Sequence, residues 1–202
     1  MTPQEALSEG VDGLGLELPP SARAQLLAYI ALLGKWNRIY NLTAIRDPIE
    51  MVTHHLLDSL AAVSHLPLPA QAALADVGTG AGVPGIPIAI AKPRWRVTLN
   101  DSREKKAAFL RQAAIELKLA NVEVHHGRVE EWIPQTKFAL VISRAFTELA
   151  QFRALCAHLV APDGFVAAMT GAAPQAPGCR VIALKVPLLD ARRHLVLCPA
   201  AG

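Results

Sequence analysis

Within the ten residues Asp76-Val-Gly-Thr-Gly-Ala-Gly-Val-Pro-Gly85 the chain places one carboxylate and four glycines. Such a run lets a ligand lie against the backbone, because no Cβ stands in the way and glycine takes positive φ freely. Ala73, Leu74, Ala75 and Val77 before it read as a short apolar strand. Ile86, Ile88, Ala89, Ile90 and Ala91 after it read as an apolar helix. A glycine loop at a strand-to-helix turn is where α/β proteins hold nucleotide cofactors. Gly78, Gly80, Gly82 and Val83 are therefore the candidate contacts of this loop.

Two cofactor classes compete for it. The tail Gly80-Ala-Gly82-Val-Pro-Gly85 satisfies the dinucleotide pattern G-x-G-x-x-G. A pyrophosphate needs free N–H groups at the helix N-terminus, however, and Pro84 and Pro87 have none to give. Asp76 would also repel it. S-adenosylmethionine brings a sulfonium and an ammonium and no phosphate, so a carboxylate at the strand end favours it. The third reading is a glycine-rich turn that binds nothing.

Further chemistry follows each later strand. Trp95, Val97 and Leu99 lead to Asn100-Asp101, and an acid ending the second strand is placed to accept the ribose hydroxyls. Asp101 also suits the N-terminus of the helix that starts near Ser102. Arg144 comes directly after the apolar strand 139–142, where a planar fork of donors can hold a carboxylate, a phosphate or a guanine edge. Its plain alternative is a salt bridge to Glu148 or Asp76. Val129 and Glu130 are expected beside the adenine, Val by packing and Glu by polar contact.

The elements that must position these groups are legible from periodicity. Pro19-Pro20-Ser21 closes an irregular N-terminus and starts a helix with Leu26, Leu27, Ile30 and Leu33 on one side. Asp47-Pro48-Ile49-Glu50 starts another, with Asp at N-cap, Pro at N1 and Glu at N3. Pro67-Leu-Pro69 ends that section, so residues 1–70 are expected to form a helical unit and residues 71–202 a Rossmann-like domain. In the latter, strands and helices alternate: helix 103–118, strand 122–125, strand 138–142, helix 149–159, a Pro162-Asp-Gly164 turn and strand 165–169. Alternation of this kind predicts an α/β fold, a parallel sheet with helices on both faces. Residues 181–186 and 194–197 have no helix between them and read as a closing antiparallel hairpin.

Composition bounds the function. A chain of 202 residues holds one main core with an appendage. Its longest apolar runs, such as Leu26 to Leu33, fall well short of the ~20 residues of a membrane span, so no membrane role is expected. No basic leader precedes an apolar stretch at the N-terminus. Cys156, Cys179 and Cys198 match no zinc or redox spacing and are expected as free thiols in a reducing cytoplasm. The net charge of +3 is mild, but Arg94, Arg96, Arg103, Lys105, Lys106 and Arg111 crowd the middle of the chain. Such clustering permits a phosphate-binding face.

Six motifs taken together resemble the glucose-inhibited division protein B family, also called RsmG. They are Trp36-Asn-x-x-x-Asn41-Leu-Thr43, His55-x-x-Asp58-Ser59, Asp76 to Gly85, Arg128-Val-Glu-Glu131, Ser143-Arg-Ala-Phe146 and Arg193-His-Leu195. The resemblance implies an S-adenosylmethionine-dependent methyltransferase acting on N7 of one guanine in bacterial small-subunit (16S) ribosomal RNA, naked or within the 30S particle, as a cytoplasmic monomer. It implies cofactor contacts at Gly78, Val83, Val129, Glu130 and Arg144, and a substrate or catalytic side at Asn41, His55, Arg144 and Arg193. One position departs from the family pattern: a Lys usually precedes the glycine after strand 165–169, and here that residue is Thr170. Arg192 or Lys185 is the expected replacement. A small-molecule methyltransferase and a non-catalytic RNA-binding protein are the competing readings.

Overall fold

The computed structural model describes residues 1–144 and 148–200. Its centre is one seven-stranded sheet of order β3-β2-β1-β4-β5-β7-β6. The strands are β1 (Ala73–Val77), β2 (Arg96–Asp101), β3 (Val122–His126), β4 (Phe138–Ser143), β5 (Val160–Thr170), β6 (Arg180–Leu184) and β7 (Arg193–Pro199). β1 to β5 are parallel neighbours, and β7 runs antiparallel between β5 and β6. The expected α/β sheet and its closing hairpin are thus present. The chain travels outward through β2 and β3, then returns to lay β4 on the other side of β1. That reversal opens a crevice beyond the carboxyl ends of β1 and β4, where ligands of open α/β sheets bind.

The core follows from the alternation of side chains across the sheet. One face buries Leu74, Leu99, Leu140 and Ile142 under α5 (Gly85–Ala91), α6 (Glu104–Glu116) and the N-terminal helices. The other buries Ala75, Val77, Val141 and Val166 against α7 (Leu149–Cys156) and Trp132. The Pro162-Asp-Gly164 turn does not precede the fifth strand as expected. β5 begins at Val160 and absorbs the turn as an irregularity opposite Phe138 and Leu140, because Gly164 lies too close to the Ala139 carbonyl to admit a Cβ.

The N-terminus differs from the expectation. Residues 3–13 form α1, begun by a capping box in which Thr2 accepts from Glu5 N and Glu5 accepts from Thr2 N. The signal was present, but α1 has few large apolar residues and only Ala6, Leu7, Gly10 and Val11 are buried. α2 (Pro20–Tyr40) follows, then α3 (Pro48–Met51), a π-helical turn (Val52–Leu57) and α4 (Asp58–Val63). Asp47 caps α3 by accepting from Ile49 N and Glu50 N, both at 2.9 Å.

The cysteines are a second correction. Cys179 and Cys198 are joined in a disulfide, and Cys156 alone is free, buried, its thiol pushed up to about 12 chiefly by burial. The cause is register: Arg180 faces Leu197 in the β6–β7 ladder, so Cys179 and Cys198 come next, with Cα atoms 4.3 Å apart.

α1 packs on the π-turn so closely that a Cβ at Gly10 would lie 2.2 Å from Leu57 Cδ1. Gly10→Ala gains about 1 kcal/mol of helix propensity and meets an overpacking cost of about 1–3 kcal/mol. A net loss of stability is expected in urea unfolding; a gain would show that α1 shifts freely.

Candidate active site

β1 ends at Val77, and the loop that follows is held from three sides. Asp76, buried, accepts with Oδ2 from Thr79 Oγ1 and from Gly85 N at 2.7 Å. Asp101 accepts with Oδ2 from Gly80 N at 3.0 Å and with Oδ1 from Arg103 N at 2.9 Å. From α2, Tyr29 donates its hydroxyl to Ala81 O at 2.6 Å. Gly78, Gly80 and Gly82 stand at φ of 65°, 63° and 93°, conformations that side chains rarely adopt.

These bonds decide between the two cofactor classes. At the start of α5, Gly85 N is committed to Asp76 and Ile86 N to Gly82 O, while Pro84 and Pro87 have no N–H. No donor is left there for a pyrophosphate. Asp76 Oδ1, buried and without a hydrogen-bond partner, is an acceptor in a site walled by backbone. Burial pushes the Asp76 carboxyl up to about 7, against the pull of its bonds to Thr79 and Gly85. An acceptor-rich cradle of this kind fits a cationic ligand with ribose hydroxyls, and the groups present fit S-adenosylmethionine.

Asp101 braces the glycine loop and, through Arg103 N, the entry to α6, but it is not the expected N-cap: the helix begins two residues later, with Arg103 at that position. Lys106 Nζ lies 3.8 Å from its Oδ2. Val129 is buried on a short 3-10 turn, and Glu130 beside it is exposed and pairs with Arg128 at 3.5 Å. Val83 is buried at the base of the loop.

The second cluster lies where the N-terminal helices meet the ends of β4 and β7. Arg144 Nη1 donates to His54 O at 2.5 Å and lies 3.4 Å from Asp58 Oδ2, and its Nη2 lies 3.2 Å from His55 Nδ1. Arg193 Nε faces Asp58 Oδ1 at 3.3 Å as an ion pair. The π-turn provides this arrangement. Asp58 N bonds five residues back, to Thr53 O, and so wide a turn presents carbonyls outside the usual i→i−4 ladder; His54 O receives Arg144. The expected salt-bridge partners of Arg144, Glu148 and Asp76, are both replaced by Asp58. Arg144 is still close enough for its charge to draw the Asp76 carboxyl downward.

His55 is buried, with its pKa lowered to about 4, first by burial and second by the Arg144 charge. An arginine can only donate, so His55 Nδ1 accepts and Nε2 carries the proton toward Thr43 Oγ1, 3.1 Å away. Neither nitrogen is available as a base. Asn41, left-handed at the end of α2, accepts from Arg46 at 3.1 Å and does not line the pocket. That pocket, about 460 Å³, is bounded by Ile45, His54, Asp58, Arg144, Thr170, Arg193 and His194 among others. Neither Arg192 nor Lys185 reaches it; Arg193 and His194 stand beside Thr170 instead. Ala145 and Phe146 of the Ser143-Arg-Ala-Phe146 motif lie outside the described residues. Asp58 is the functional residue that sequence reasoning passed over, although it stands inside the His55-x-x-Asp58-Ser59 motif.

Fold and site together define an S-adenosylmethionine-dependent methyltransferase. The fold is shared with a SAM-dependent methyltransferase from Aquifex aeolicus (TM-score 0.60, 17% identity, 84% of this chain and 98% of that one). It is shared also with a ribosomal protein L11 methylase from Lactobacillus delbrueckii (TM-score 0.56, 15% identity, 72% and 77%). The family model GidB, rRNA small subunit methyltransferase G, matches residues 22–177. Proteins called ribosomal RNA small subunit methyltransferase G are 50% identical in Methylobacillus flagellatus (98% of each chain) and 52% identical in Burkholderia thailandensis (96% of this chain, 90% of that one). The chain belongs to the rRNA small subunit methyltransferase G family.

Asp58→Asn keeps the shape and removes the charge that two guanidiniums share. Methyl transfer at saturating substrate is expected to fall at least about tenfold, 1.4 kcal/mol on the barrier, with cofactor affinity unchanged. Full activity would show that the arginines need no common counter-ion.

Proposed function

We propose that this protein transfers a methyl group from S-adenosylmethionine to N7 of a guanine in small-subunit ribosomal RNA. The observation that carries the reading is the meeting of an acceptor-lined glycine loop with a pocket walled by Arg144 and Arg193. Family membership supports the RNA. When bound, S-adenosylmethionine supplies a methyl group activated on a positively charged sulfur.

The chain's residues do the rest. Asp101 is assigned to the ribose hydroxyls, the backbone at Gly78, Gly80 and Gly82 to close contact with the ligand, Val83 and Val129 to packing on the adenine, and Glu130 to its polar edge. Arg144 and Arg193, with His194 and Thr170, hold the target nucleotide. Guanine N7 has a free lone pair and no proton to lose, so alignment and charge placement suffice and no general base is required. His55 orients Arg144 rather than taking a proton. Residues 1–70 act as the helical wall of the pocket. Action as a cytoplasmic monomer on ribosomal RNA goes with this reading.

Incubation with labelled S-adenosylmethionine and small subunits lacking the modification tests this directly. Label is expected at a guanine N7; its absence there overturns the proposal. pH provides a second test through Asp76. Its folded pKa, about 7, is above the ordinary 3.8, so the ligand-free fold is best served with Asp76 protonated, and that contribution is lost as pH rises toward and through 7. A bound cation favours the carboxylate, so cofactor affinity is expected to strengthen from pH 6 to 8 and to become flat over that range in Asp76→Asn. The same pH dependence in both proteins would remove Asp76 from the cofactor's surroundings.

A further inference from the structure

A second concavity, of about 820 Å³, lies between α1, α2 and α3, outside the pocket that Arg144 and Arg193 line. Leu27, Ile30 and Met51 supply apolar floor, and Lys35, Arg38 and Arg46 supply three cations. Among the described residues no carboxylate lines it. Of those that flank it in sequence, Glu5 and Asp47 are turned onto backbone N–H groups as helix caps, and Glu50 is exposed beside Met51 without lining the groove. The wall along α2 is bare at Gly34, where a Cβ would meet nothing within 4 Å. Glycine inside a helix costs about 1 kcal/mol relative to alanine, and here no packing neighbour accounts for it.

The groove and the pocket approach one another at the loop between α2 and α3. Ile45 lines the pocket and Arg46, the next residue, lines the groove. Arg46 Nη2 donates to Asn41 Oδ1 at 3.1 Å, which ties Asn41 to the groove's edge. We infer that this groove docks the RNA strand flanking the target guanine, with phosphates on Lys35, Arg38 and Arg46 and a base against the apolar floor. This rests on the ribosomal RNA reading given above. A cationic track with apolar surface for bases is how single strands are held without sequence preference, and a volume within the roughly 300–1,000 Å³ of ligand clefts is ample for one nucleotide unit. The excess of cations over carboxylates favours RNA over a protein segment.

Two variants test it, each compared with the unaltered protein on protein-free small-subunit RNA and on assembled subunits. Gly34→Leu fills the groove at a position with no neighbour to disturb, so thermal stability is expected to hold. KM for RNA should rise about tenfold with kcat and S-adenosylmethionine affinity unchanged. Lys35→Ala/Arg38→Ala should make the salt dependence of RNA binding shallower by about 1.4 in log–log slope, two phosphate contacts on a single strand. Should Gly34→Leu fail to fold, the charge variant decides by that slope. Unaltered KM and slope overturn the groove while leaving the methyltransferase reading intact. A defect confined to assembled subunits overturns it in favour of a ribosomal protein. An unaltered protein that labels no RNA overturns both.

Discussion

One buried carboxylate holds the substrate side together. Asp58 lies at the end of the π-turn, Arg144 just past β4 and Arg193 at the start of β7, and the Asp58 carboxylate pairs with both arginines. Burial raises the Asp58 pKa, opposed by the charges of Arg144 and Arg193. Desolvating a carboxylate is costly unless it is paired. Here it is paired twice, and two cations on one anion leave an excess of positive charge facing the pocket. That excess suits a nucleotide, and Asp58 keeps the two guanidiniums from repelling one another out of the site.

The cofactor side obeys a different constraint, the satisfaction of backbone donors. A loop with three left-handed glycines is expensive to order, and this one is held by side chains at its edges: Asp76 accepts two bonds from it, Asp101 accepts one and Tyr29 donates one. The bond from Tyr29 couples the two sides. α2 both closes over the glycine loop and, through Asn37, which accepts from Thr43 N at 2.9 Å, shapes the segment that carries the His55 contact. The helical unit is thus joined to both halves of the site.

Where the sequence carried strong local chemistry, the reading was close to the structure. The glycine loop, the Asp47 cap, the alternating strands and the final hairpin carry local signals, and the strand boundaries agree within one or two positions except at β5, which begins five residues earlier than expected. Three features depended on distant partners. α1 was read as irregular because its stability comes from Gly10 packing on Leu57, 47 positions away, rather than from an apolar stripe. The π-turn is invisible in composition, since nothing in Val52–Leu57 distinguishes five-residue from four-residue bonding. The partner of Arg144 was expected at Glu148, next to it in sequence, or at Asp76 on the neighbouring strand, and is found 86 positions away at Asp58. The cysteine pairing is of the same kind: only the β6–β7 register brings residues 179 and 198 together.

The departure at Thr170 is also settled by register. Thr170 is opposite His194 in the β5–β7 ladder, so the cation that the family pattern places on β5 has neighbours on β7 in His194 and Arg193. All three residues line the same pocket. Thr170 turns its hydroxyl to Ala172 O at 2.5 Å, whereas His194 Nδ1 is buried without a partner. Moving the polar donor from one strand to the adjacent one changes its origin by a single strand spacing, about 4.8 Å, a gap that a long arginine side chain spans. An antiparallel ladder therefore brings side chains of two facing strands to one pocket: beside Thr170 on β5, Arg193 and His194 of β7 occupy the place from which a cation or donor on β5 would act.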